Sequence, residues 1–185
     1  QGQDAYGERI PQRYPGGLVP QGIAAEVIAA RWNLDRDTLD AFAARSHRRA
    51  AEAAAGGHFD RELLAVGEVR ADETIRANTT AERLAQLKPA FQGAPAAQRF
   101  PEVDWRITAG NSSPLTDGAS AALIMSEERA ARLGLTPRAR FHSFAVAGDD
   151  PLLMLMGVVP ATRKVLDRAG MSIDDIDVYE VNEAF

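Results

Sequence analysis

The feature that most constrains the fold is an order of local patterns in the last third of the chain. Arg138 to Ala147, RARFHSFAVA, reads as a strand; the stretch Pro151 to Ala169 is helical in its second half, from near Pro160 to a stop at Gly170; and Ile176 to Val181 reads as a strand again. Strand, helix, strand implies a right-handed crossover and a parallel pair, hence an α/β layer. Just upstream, Ala119 to Met125 is a further apolar strand candidate. Ser126 then starts a helix whose positive end is favoured by Glu127 and Glu128, and Gly134 stops it.

The first hundred residues differ in character. The opening to about Val19 carries Pro11, Pro15, Gly16 and Gly17 with few apolar residues and reads as an irregular loop. From Gln21, the spacing of Ile23, Val27, Ile28 and Trp32 predicts an amphipathic helix with that face inward. The next helix has an N-cap in Asp35 and a hydrophobic staple in Leu34 and Leu39, and should run to about Ala55 before Gly56 and Gly57. TTAERLAQLKPAF predicts a short helix with Thr79 or Thr80 near its start, and LLAVGEV is a short strand-like run. The change of character near Ile107 is the candidate boundary.

Composition excludes several functions. Lys plus Arg number 21 against 26 for Asp plus Glu, a net charge of −5 that gives a polyanion no basic field, so nucleic acid is not an expected partner. No apolar run approaches the roughly 20 residues that cross a bilayer, and the first residues lack the pattern of a secretory signal; the reading is a cytoplasmic chain without membrane partners. The sequence has no cysteine and three scattered histidines, so no metal site is expected and this chain does not supply its own thiolate.

Candidate chemistry gathers where loops follow strands. In VYEVNEAF, Asn182 and Glu183 stand at the carboxyl end of a strand, where an amide can polarise an oxygen that gains negative charge or hold a water that does so. Asn182 is equally suited to cap a following helix. The small-residue run TAGNSSPLTDGA either lets a ligand approach the backbone, with Ser112 or Ser113 bonding an amide of it, or is a tight turn before a strand. Asp117 reads as a turn residue. Arg45 to Arg49, RSHRR, is either a solvated helix face or a contact for an anionic ligand, and Met154 and Met156 are core filler or the wall of an acyl site.

Taken in order, ITAGNSSPLTDGASAALIM, PRARFHSFAVAGDDP, VPATRKVLDRAG and IDDIDVYEVNEAF resemble the thiolase family, the acetyl-CoA acetyltransferases and 3-ketoacyl-CoA thiolases, as do QGIAAEVIAARWNLDRDTLDAFAARSHRRAAEA and LKPAF upstream. The resemblance implies an αβαβα layered fold, here incomplete, with a mainly helical loop (lid) domain in the first half. It divides the chain into residues 1–115, a loop domain for CoA binding and oligomerisation; residues 116–137, the last strand and helix of the N-terminal core domain; and residues 138–185, the first part of the C-terminal core domain. The implied chemistry is reversible Claisen condensation and thiolysis through a cysteine acyl-enzyme, in fatty acid metabolism such as β-oxidation. CoA and acyl-CoA are its substrates, no cofactor is permanently bound, and the assembly is a homodimer or homotetramer.

Carried over by motif, Asn182 resembles the amide that holds a water in the oxyanion hole, which a family histidine completes. Ser113 resembles the residue that hydrogen-bonds the pantetheine arm, Ala109 lines that arm, and Arg76 resembles the side chain against the CoA adenine. Phe91, Met154 and Phe185 match apolar walls of the CoA and acyl tunnel. Ketoacyl synthases have a histidine where thiolases have this asparagine, so NEAF favours a thiolase. The family's nucleophilic cysteine belongs to a segment before Gln1, and its histidine and second cysteine to segments after Phe185, so these residues alone are expected to be inactive. The alternative reading is a non-catalytic acyl-CoA or lipid binding protein on the same fold.

Overall fold

Side-chain caps mark several of the helix starts. In the computed structural model, which describes Gly7 and residues 9–185, α1 spans Arg9–Arg13, α2 Gln21–Arg31, α3 Arg36–Ala55, α4 Ala81–Leu84, α5 Glu127–Arg132 and α6 Val158–Ala169. The carboxylate of Asp35 accepts the Thr38 N–H at 2.8 Å, Thr80 Oγ accepts from Arg83 at 3.3 Å, and Ser126 Oγ accepts from Arg129 at 3.2 Å. Each bond occupies an amide that the first helical turn leaves without a carbonyl. At the other end of α6, Gly170 takes φ +65° and closes the helix in the left-handed conformation. Of the two glycines after α3, Gly56 stays at φ −78° and only Gly57 turns left-handed, at +73°.

The opening is not wholly irregular, as the sequence suggested. Gly7 lies in a turn and α1 follows, with Tyr14 N donating to Ile10 O at 2.9 Å, while residues 1–6 and 8 lie outside the described residues. Pro11 is tolerated because it falls in the first turn, where its missing N–H would have had no helical acceptor.

The fold divides into two compact units. The first holds the described residues up to Pro114, with Asp150–Leu155 and Val181–Phe185. Its apolar core is Val19, Ile23, Ala24, Ala97, Phe100 and Val103, flanked by Val27, Phe91, Trp105 and Leu152. Ile23 is fully buried, which contributes about 2 kcal/mol. The buried face of α2 is more alanine than the expected apolar spacing implied: Ala24, Ala25 and Ala29 are inside, and Trp32 stays 48% exposed beside Arg31. α4 packs on α3, and a 3-10 turn at Pro95–Arg99 supplies Ala97 to the core.

The second unit comprises Leu115–Asp149 and Met156–Glu180, and contains α5 and α6. Here the expected parallel pair is not formed: among the described residues no strand ladder occurs, and the one bridge joins Val66 to Val69, within the strand-like run LLAVGEV. Leu123, Ile124, Phe141, Phe144, Val146 and Val178 are exposed instead. A strand exists only through a neighbour's backbone groups, and these segments lack such a neighbour among the described residues. α6 still lies against residues 144–146, through Lys164 Nζ to Val146 O at 2.9 Å and Arg168 Nη1 to Phe144 O at 3.0 Å. Ser172 and Asp175 form a capping box on the short turn Ile173–Asp175. No helix among the described residues is long and apolar enough to cross a membrane.

Candidate functional site

Two buried carboxylates position the small-residue segment of the first unit. Glu26 projects from α2 into the core, and its oxygens accept the Arg106 N–H at 3.0 and 2.9 Å and the Ile107 N–H at 2.7 Å. The Arg106 guanidinium bonds Leu34 O at 2.7 Å and Ala29 O at 3.3 Å, closing the same joint from the other side. Burial is the largest influence on Glu26 and pushes its carboxyl above the ordinary value, against the two backbone donors and Arg106.

Asp40 of α3 does the same for the turn that follows. Arg36 Nε donates to it at 2.7 Å, and Asn111 Nδ2 donates to its other oxygen at 2.9 Å. Asn111 Oδ1 in turn accepts the Thr108 N–H at 2.8 Å, and Ser112 Oγ donates to Thr108 O at 2.6 Å. These bonds make residues 108–112 a tight turn with every buried side-chain polar atom among the described residues satisfied. A Cβ at Gly110 would come within 2.4 Å of the Leu84 side chain and 2.5 Å of that of Leu87, so both would have to shift to admit one. Ser112 is thus engaged within the turn, and the strand expected after it is absent.

The segment Val181–Phe185 docks on this turn and on α3. Ser113 N donates to Ala184 O at 3.0 Å, Ser46 Oγ of α3 donates to Glu183 Oε2 at 2.8 Å, and the Phe185 ring meets Phe91 edge-on at 6.1 Å. Phe91 lies against α2 so closely that a Cβ on Gly22 would be 2.1 Å from its ring. Asn182 is exposed, makes no side-chain hydrogen bond among the described residues and caps no helix among them. The basic run of α3 surrounds the docked segment: Phe42, Arg45, Ser46, Arg49 and Glu183 line a shallow pocket of about 130 Å³, with Arg45 over the Phe42 ring at 5.0 Å. Arg48 points elsewhere, 3.7 Å from Glu52. The carboxylate that lines this pocket with Arg45 and Arg49 is therefore one of the chain's own.

All seven residues singled out in the sequence belong to the first unit. The structure brings Phe91, Ser113, Asn182 and Phe185 into one cluster. Ala109 is exposed on the 108–112 turn beside that cluster, and Arg76 and Met154 are exposed as well. Arg76 is nonetheless tied to α3, since its N–H donates to His47 Nδ1 at 3.2 Å, and His47 is half-buried rather than exposed. Sequence reasoning missed Glu26, Asp40, Ser46 and His47 as positioning groups. A glutamate inside the apolar run GIAAEVIAA was the available signal for the first.

Comparison with known proteins gives a consistent result. Residues 16–128 match the family description "Thiolase, N-terminal domain" and residues 135–185 match "Thiolase, C-terminal domain". The chain is 49% identical over 173 residues to the 3-ketoacyl-CoA thiolase of Idiomarina loihiensis and 48% identical to that of Saccharophagus degradans, in each case over 89% of this chain and 42% of the relative. It superposes on the crystal structure of the Bacillus anthracis acetyl-CoA acetyltransferase with a TM-score of 0.79 and 39% identity, covering 90% of this chain and 42% of that one. The chain thus spans about two fifths of the length of these relatives.

Proposed function

Since this chain belongs to the thiolase family, we propose that the protein carrying it is a thiolase-type acyltransferase that cleaves 3-ketoacyl-CoA with CoA, and condenses acyl-CoA in reverse, through a cysteine acyl-enzyme. The observation that carries this reading is the docking of NEAF. Glu183, Ala184 and Phe185 are each held, by Ser46, Ser113 and Phe91 respectively, while the adjoining Asn182 amide is left exposed with nothing bonded to it among the described residues. A donor held still and unoccupied is what stabilisation of a developing oxyanion needs, either directly or through a water.

In this reading the chain contributes recognition and electrostatics, and the thiolate comes from elsewhere in the protein. Asn182 holds a water that donates to the thioester or enolate oxygen. Ser113 and Ala109 follow the pantetheine arm, Arg76 lies against the adenine, and Phe91, Met154 and Phe185 wall the apolar path. The extended segments around Leu123, Phe144 and Val178 become strands of an αβαβα layered core by pairing with other parts of the protein, which accounts for apolar side chains exposed here. Residues 1–115 form the loop domain, residues 116–137 the end of the first core domain and residues 138–185 the start of the second. The protein acts in the cytoplasm, in fatty acid metabolism such as β-oxidation, as a homodimer or homotetramer, with CoA as substrate and no resident cofactor.

The test is CoA-dependent thiolysis of acetoacetyl-CoA and a longer 3-ketoacyl-CoA by the full-length protein, with the 185 residues alone as a control that binds CoA without turnover. Saturable acyl-CoA binding without turnover by the full-length protein would replace this reading with that of a binding protein.

A further inference from the structure

We propose that Ser46 and Glu183 form a positioning pair that holds Asn182 in its reactive orientation; this rests on the thiolase reading above and assigns two residues to the same site. The two are 137 positions apart and meet through Ser46 Oγ donating to Glu183 Oε2 at 2.8 Å. The bond is exposed and does little for global stability. Its location gives it another role.

Asn182 is on a loop, and an oxyanion donor must be held to within about 0.5 Å to act. Glu183 is the next residue, and its bond is the pin nearest to Asn182 among those that fasten the segment; the others act at Ala184 and Phe185. Ser46 is well suited as the fixed end. It sits near the middle of the 20-residue helix α3, whose start is locked by the Asp35 cap and by the pairing of half-buried Arg36 with buried Asp40. Arg45 and Arg49, one residue before and three after, line the same shallow pocket as Glu183.

A merely structural contact and a positioning contact differ in kinetics. Alanine is a better helix former than serine, so Ser46→Ala does not weaken α3. In the full-length protein, Ser46→Ala and Glu183→Ala should each lower kcat for acetoacetyl-CoA thiolysis by about tenfold while KM changes by less than about twofold, because the interaction lost matters in the transition state. The double variant should cost no more than either single one. Ser46→Thr, which keeps the hydroxyl, and Glu183→Gln, which keeps an acceptor oxygen, should retain most of kcat. Should Ser46→Ala lose its fold, Glu183→Ala leaves α3 untouched and carries the test.

Unchanged kcat in both alanine variants, with Asn182→Ala severely impaired, would overturn the positioning pair and leave the thiolase reading standing. Absence of thiolysis in the unsubstituted protein would overturn both.

Discussion

Asn111 Nδ2 donates to Asp40 Oδ1 at 2.9 Å, joining two buried side chains 71 positions apart. Through that bond α3 controls the turn at residues 108–112, and through the turn the backbone of Ser113, on which Ala184 rests. The candidate site is thus built outward from buried carboxylates, Asp40 here and Glu26 beside it, rather than from the surface residues that would touch a ligand.

Removing the Asp40 carboxylate should be costly. Asp40→Ala removes the one carboxylate that Arg36 and the Asn111 amide share, leaving them only backbone carbonyl acceptors, so urea unfolding should show a loss of about 3 kcal/mol. Asn111→Ala should cost about 1–2 kcal/mol, and the double variant less than the sum of the two. Full additivity would mean that the pair does not act as a unit.

Glu26 predicts a pH dependence. Its carboxyl is raised above the model-compound value of 4.5, chiefly by burial, so the folded state holds the proton more tightly than the unfolded state does. Its contribution is fully present below pH 4.5 and is lost as pH rises through the higher folded value. Glu26→Gln removes the titration, so unfolding measured from pH 4 upward should show wild type losing stability relative to the variant; the cap carboxylates Asp35 and Asp175, held low by their serine and threonine partners, act in the opposite sense at acid pH and are common to both. Parallel stability curves would contradict the assignment.

Gly22 should resist substitution. A Cβ there would lie 2.1 Å from the Phe91 ring, so Gly22→Ala must displace that ring from Phe185. A cost of about 1–3 kcal/mol is expected in thermal or urea unfolding, and Phe91→Leu in the same background should recover part of it.

His47 anchors the backbone of Arg76 through Nδ1. His47→Leu should raise KM for CoA by about fivefold and leave kcat nearly unchanged, since a neutral hydrogen bond of this kind is worth about 1 kcal/mol and acts on binding alone. Steady-state kinetics with CoA as the varied substrate checks this.

What could be read in the sequence was local. The caps at Asp35 and Ser126 and the glycine stop at Gly170 depend on residues a few positions apart and fall where their sequence signals placed them, and of Thr79 and Thr80 it is Thr80 that caps. The family was also legible, because several motifs in register identify it without any knowledge of contacts. The groups that hold the site together were not. Glu26 meets its partners 80 and 81 positions away and Ser46 meets Glu183 at 137, and no periodicity encodes such separations. The expected strands are unpaired for a related reason: RARFHSFAVA has the composition of a strand, but pairing requires a neighbouring backbone that the described residues do not provide.

The central claim, that NEAF presents Asn182 to a developing oxyanion, is tested most directly by the kcat of Asn182→Ala in the full-length protein with acetoacetyl-CoA and CoA. Loss of the amide donor should lower kcat by about 10²–10³ while CoA binding by calorimetry stays near wild type. Equal kcat in the variant and the wild type, or a defect confined to CoA binding, would contradict it.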